Sequence, residues 1–259
     1  MHGNLHPISE NHSIKEAVFT VFLASKIMKP KDYKFLLTTY FKDDFQQFEP
    51  LTQTQIKFEQ QNLTLNKVDD AGFKFVKYVD GNISEVLQGM NNENQYFFSA
   101  HTFKYKSWKE FKENFIQYFK TLSSFQPGYY VQAYSLLYMD EFNWDNNTPF
   151  DSKIIFNTES EFLPKDFFNS SSIVYNINLE KEKAGKSYSD LLNITIADKL
   201  VYKNIIVVHN QTFVLQDTIK LDDFLKGDDL NENLDLTHQA NKDLLINILT
   251  SEVCELINI

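Results

Sequence analysis

Arginine is missing: all 25 basic residues of this 259-residue chain are lysines. Without a guanidinium the protein has no planar fork for bidentate recognition of carboxylate or phosphate, which excludes arginine fingers and arginine phosphate clamps. Cysteine is nearly missing too. Cys254 stands alone, so no internal disulfide and no cysteine-built zinc site can form, and a reducing compartment is expected. Seven glycines leave few of the tight loops that cradle phosphates, and neither Gly-x-Gly-x-x-Gly, His-Glu-x-x-His nor Gly-x-Ser-x-Gly occurs. Ala184-Gly185-Lys186-Ser187 imitates the end of a P-loop, but Glu180 stands where the earlier glycine belongs. That segment lies between two strand-like runs, so a hairpin turn is expected. No run approaches the ~18 apolar residues that span a bilayer, and the first residues lack a cationic stretch followed by an apolar one. A cytoplasmic protein without membrane contact is expected.

What the chain does have is apolar surface and negative charge. Hydrophobic residues make up 42%, including 24 Phe and 13 Tyr, far more than a disordered chain carries. Lysines against 35 acids leave a formal charge of −10, which disfavours phosphate backbones and anionic lipid and favours a basic protein partner.

Ala17, Phe19, Val21 and Leu23 alternate with Val18, Thr20 and Phe22, the period of two of a central strand. Pro30 suits a first helical position, and Tyr33, Leu36, Leu37, Tyr40 and Phe41 recur at three and four up to Pro50, predicting an amphipathic helix. Strands are expected over 55–65, 73–79, 84–90 and 96–103, with Asp69-Asp70-Ala71-Gly72 as a turn. Ser107 and Glu110 have capping-box spacing ahead of Trp108, Phe111, Phe115, Phe119 and Leu122, which predicts a second helix. Its surface is locally cationic through Lys104, Lys106, Lys109, Lys112 and Lys120. After Pro127-Gly128 come a long strand over 130–142, short helical pieces in 149–168, strands over 172–179, 188–196, 201–208 and 212–217, and helix from 228 to the end. Both stretches read strand, helix, meander, helix. The expectation is therefore an α+β protein of antiparallel sheets with helices packed on one side, in two similar halves, 1–126 and 127–259, that could join in one continuous domain.

Candidate chemistry is sparse. His101, His209 and His238 could serve as general bases only where the fold gathers partners around them, and each also suits a satisfied structural position. Carboxylates concentrate around Asp140, Glu141 and Asp145 to Glu161, and again around Asp217, Asp222, Asp223, Asp228, Asp229 and Asp235. Neither group has the spacing of a calcium loop, so solubility, capping and attraction of a basic partner are the readings, with Asp140, Glu141, Asp222, Asp223, Asp228 and Asp229 as binding candidates. No metal and no other cofactor is expected.

Three segments carry a resemblance. The opening Glu16-Ala17-Val18, the central Leu137-Tyr138-Met139-Asp140-Glu141-Phe142, and Leu234-Asp235-Leu236-Thr237-His238 through Leu244-Leu245 and Thr250-Ser251-Glu252 resemble, in this order, the signatures of an uncharacterised, sporadically distributed bacterial family of similar length. Asp140 and Glu141 depart from that family's pattern, which has Asn and commonly a basic residue there. The resemblance implies an accessory locus such as phage defence or a toxin–antitoxin pair, and no activity. Three functions are thus in view: a non-catalytic module binding a basic protein partner, a metal-dependent hydrolase assembled from distant histidines and carboxylates, and a sheet that reads nucleic acid, which the −10 charge and missing arginine oppose.

Overall fold

Alternation of large apolar and small polar residues dominates the chain, and its consequence is a sheet protein: strands take 47% of residues and helices 28%. The computed structural model describes residues 4–10, 12–59, 62–93, 95–145, 149–183 and 186–259. In chain order these form β1 (Leu5–Pro7), β2 (Ile14–Leu23), α1 (Lys34–Thr39), β3 (Gln47–Glu59), β4 (Asn62–Val79), β5 (Asn82–Asn91), β6 (Tyr96–Thr102), α2 (Trp108–Phe125), β7 (Tyr130–Asp145), β8 (Ile173–Lys183), β9 (Lys186–Asp198), β10 (Tyr202–Lys220), α3 (Leu221–Phe224), α4 (Asp228–Ile248) and α5 (Ser251–Leu256). Short 3-10 turns lie at Pro30–Tyr33, Ser152–Ile154 and Lys165–Asn169. Among the described residues no helix is long and apolar enough to cross a membrane.

Two compact units result, and neither is a simple half of the chain. One comprises residues 18–135 and 214–227, the other 1–17, 136–213 and 228–259. The expected boundary at 126/127 falls inside the first of these, and the division runs through β2, β7 and β10.

In the unit built on 18–135 the strand order is β3-β4-β5-β6-β2, with antiparallel pairs between β3 and β4, β4 and β5, and β5 and β6. The Ser107 hydroxyl caps α2 by accepting from the Glu110 amide at 3.2 Å, and Phe111, Phe115, Phe119 and Leu122 then fall on one buried face. That face meets Phe19, whose ring stacks on Phe115 with centroids 4.2 Å apart. Tyr33 stacks on Phe73 at 4.3 Å, and Phe41, Phe45, Phe75 and Phe98 complete an aromatic core.

Two readings are corrected here. Residues 55–65 are not one strand but the facing ends of β3 and β4, which pair from Gln47↔Val76 to Glu59↔Asn62. Pro50 sits inside β3, where a missing amide is tolerated because β3 is the last strand in its order. Asp69-Asp70-Ala71-Gly72 makes no turn either. It forms a bulge between the pairs Gln53↔Val68 and Leu51↔Gly72, with Asp70 at φ 68°. Gly72 is required beside it, since a Cβ there would lie 2.2 Å from the Gly89 carbonyl oxygen. The β4–β5 reversal is made instead by Asp80-Gly81, both at positive φ, a pair suited to a tight hairpin.

In the other unit the strand order is β7-β10-β9-β8, with β1 antiparallel to β7. β8 and β9 pair antiparallel out to Lys183↔Lys186, and the expected turn residues Ala184 and Gly185 lie outside the described residues. Phe142 and Trp144 of β7, Leu192, Ile194 and Ile196 of β9, and Ile205 and Val207 of β10 bury against Leu245 and Ile248 of α4 and Val253 and Cys254 of α5. The strands expected over 201–208 and 212–217 are one, β10, running unbroken through His209-Asn210-Gln211.

Phe115→Ala removes a ring buried against four other aromatic rings. It is expected to cost about 3–5 kcal/mol in urea unfolding, while truncating exposed Phe35 should cost under about 1 kcal/mol.

Candidate functional site

Side chains on alternate residues of a strand point to opposite faces, and that parity decides where the candidate residues fall. On β9, Asp190 shares parity with Leu192, Ile194 and Ile196, so a carboxylate is directed to the face that α4 covers. Its register partner on β10 is Gln211, and His209 lies two residues before it on the same face. The buried stripe of α4 runs Leu230, Leu234, Thr237, Asn241, Leu245 and Ile248, with Asn241 the amide that meets the histidine.

The resulting cluster is tightly bonded. Asp190 Oδ1 lies 2.7 Å from His209 Nε2 and accepts from Gln211 Nε2 at 3.2 Å, while Asp190 Oδ2 accepts from Lys181 Nζ at 2.5 Å. His209 Nδ1 is 2.9 Å from Asn241 Oδ1. Burial by itself would raise the Asp190 pKa, but the hydrogen bonds from His209 and Lys181 and the histidine charge outweigh it and hold the carboxyl well below the usual range. His209 is 3% exposed, and both of its ring nitrogens are engaged. β8, β9, β10 and α4 are all tied to one carboxylate.

Asp140 faces the same side of β7 as Phe142 and Trp144. It is 1% exposed, accepts from Ser13 Oγ at 2.6 Å through Oδ1, and has a buried Oδ2 with no hydrogen-bond partner among the described residues. Burial pushes its carboxyl up to about 6 against the pull of the Ser13 hydrogen bond and the His209 charge. Glu141 points to the opposite face, accepting from Asn204 Nδ2 at 2.8 Å and pairing with Lys15. The expectation of Asp140 and Glu141 as surface contacts for a partner is therefore corrected. Both side chains are buried, Asp140 against Ser13 and Glu141 against Asn204 and the exposed Lys15.

Of the other candidates, His238 Nδ1 is 2.8 Å from the Tyr138 hydroxyl, and burial and Lys242 hold its pKa down at about 4. The fold thus gathers Asp140, His209 and His238 in one unit. His101 lies in the other, half-buried on β6, its Nε2 2.9 Å from Ser99 Oγ and 3.2 Å from Gln88 Nε2. Asp222 is half-exposed and Asp223 exposed on α3. The Asp228 and Asp229 side chains lie outside the described residues. Among the described residues no group of three His, Cys, Asp or Glu side chains is placed to hold a metal ion.

Asp190, Lys181, Gln211 and Asn241 escaped the sequence reading. A signal existed: Asp190 takes an inward parity position, and Thr237 and Asn241 interrupt a stripe of leucine and isoleucine. No family model, no curated protein and no solved structure matches the chain, so the resemblance noted above rests on its own residues.

The two buried carboxylates make opposite pH predictions. Asp140 has a folded pKa raised from 3.8 to about 6, so the stability it contributes is present at low pH and is lost as pH rises through that window. Asp140→Asn should therefore gain on the order of 3 kcal/mol over the parent at pH 8 relative to pH 4. Asp190, whose pKa is depressed, contributes stability above pH about 4 that is lost on acidification. Asp190→Asn should be destabilised at pH 7 and converge on the parent in acid, as read by urea midpoints across pH.

Proposed function

We propose that the protein is a non-catalytic module that binds a basic protein partner, with an accessory locus of the phage-defence or toxin–antitoxin kind as its expected setting. The observation that supports this most is how the ionisable groups are divided. Those that could perform acid–base chemistry in the unit containing His209 are buried: His209, 3% exposed, is bonded to Asp190 and Asn241, and Asp140, 1% exposed, is bonded to Ser13. The carboxylate surplus lies elsewhere. Asp217 and Asp223 are exposed and Asp222 half-exposed where β10 passes into α3, and Asp151, Glu159, Glu161, Glu180 and Glu182 are exposed as well. In a chain of net charge −10, such carboxylates attract a cationic surface over roughly the Debye length, about 10 Å at 0.1 M salt.

The alternative of a hydrolase draws on one observation, the unpartnered Oδ2 of Asp140 with its raised pKa. Against it, that carboxyl is 1% exposed and its other oxygen is held by the buried Ser13 hydroxyl.

The test uses the intact protein and the variant carrying Asp222→Asn, Asp223→Asn, Asp228→Asn and Asp229→Asn against a partner recovered from the native host. Association at low salt should slow by about 5-fold or more with dissociation little changed, and the difference should shrink at high salt. An association rate indifferent to both salt and the substitutions would overturn the reading.

A further inference from the structure

β8 is the last strand in the order of its unit, and its one strand neighbour is β9. Alternate residues of such a strand turn their amide and carbonyl away from the strand they pair with. Among the described residues no other backbone group takes up those of β8. A row of unmet main-chain donors and acceptors fits one kind of object, another extended strand.

Nothing blunts this edge. β3, the edge strand of the other unit, carries Glu49, Pro50 and the bulge between Leu51 and Gln53, all devices that discourage pairing with a foreign strand. Ile173-Val174-Tyr175-Asn176-Ile177-Asn178-Leu179 has none of them: it is a continuous strand segment without charge, proline, glycine or bulge. Charge returns only after it, at Glu180, Lys181, Glu182 and Lys183. Val174 is 80% exposed and Leu179 40%, so the open strand also leaves apolar side chains in water.

We propose that the protein forms a two-fold dimer in which β8 pairs antiparallel with β8 of a second copy, in the register centred on Asn176. Opposite residues of an antiparallel pair share a face. Ile173 then meets Leu179 of the copy and Tyr175 meets its Ile177 on the face that α4 covers, while Val174 meets Asn178 and Asn176 meets Asn176 on the other. Every apolar residue except Val174 finds an apolar partner, and no two charges meet. Centring the pair on Ile177 sets Val174 against Glu180 and Ile173 against Lys181, and centring it on Lys181 sets Glu180 against Glu182, a like-charge contact. The segment is thus complementary to its own reverse in one register, which makes a second copy the fitting occupant. Glu180 and Glu182 stay outside the paired stretch, so this dimer and the basic partner proposed above stand or fall separately.

Sedimentation velocity on the full chain between ~1 μM and ~1 mM is expected to show a reversible monomer–dimer equilibrium, closed at two copies because the contact is isologous. Asn176 is exposed and lies opposite itself at the two-fold. Asn176→Lys and Asn176→Asp therefore each set like charges face to face, and each should weaken the dimer by about 5-fold or more while melting like the parent. Mixed in equal amounts, the two variants should form a heterodimer at least about 10-fold tighter than either homodimer. Thr52→Lys, an exposed position on β3, should dimerise like the parent. A chain that stays monomeric throughout would overturn the proposal and leave the edge to a strand of another protein. A dimer indifferent to both Asn176 variants, or one weakened by both without rescue on mixing, would overturn it as well.

Discussion

A carboxylate set among Leu192, Ile194 and Ile196 must be neutralised, or its solvation would pull β9 away from the helix above it. Asp190 is neutralised by groups from three other elements: Lys181 of β8, His209 and Gln211 of β10, and, through His209, Asn241 of α4. Satisfying it therefore specifies register. A two-residue slip of β9 against β10 would keep every apolar residue on its face, yet it would set Asp190 opposite His209 or Phe213 in place of Gln211 and break the present set of bonds. Apolar packing alone cannot make that distinction, and the cluster gives one pairing the advantage.

How much was legible follows from how far apart the deciding partners are. α2 is specified within a few residues: the Ser107 cap and the Phe111, Phe115, Phe119 stripe were both readable and both form. The strand at Ile14–Leu23 and the long helix α4 announce themselves by periodicity in the same way. The errors came where a local breaker signal is overruled by a distant neighbour. Pro50 and Asp69 to Gly72 look like interruptions, yet the chain continues as strand because β3 lies at the end of its sheet order and a bulge absorbs the extra residues. His209-Asn210-Gln211 looked like a gap between two strands. It is strand because Asp190, some twenty residues earlier, gives the inward polar atoms a partner.

The acidic residues show the same limit more sharply. Composition gives their number and net charge, but not which of them see solvent. Asp140 and Glu141 are neighbours in sequence and point to opposite faces of one strand, one to a serine and the other to a lysine and an asparagine. A charge count treats them as surface, whereas pairing parity puts them inside. Asp222 and Asp223, in a four-residue helix, stay at the surface. Reading a partner surface from sequence thus requires the strand register first, and register is a property of pairs of segments.

The solitary thiol has a use that follows from its position. Cys254 is buried on α5 against the core of its unit, with its pKa raised by burial, so a thiol reagent must wait for that helix to lift before it can react. With no second cysteine to compete, the labelling rate of the unaltered chain is a clock for opening of the core that α5 closes.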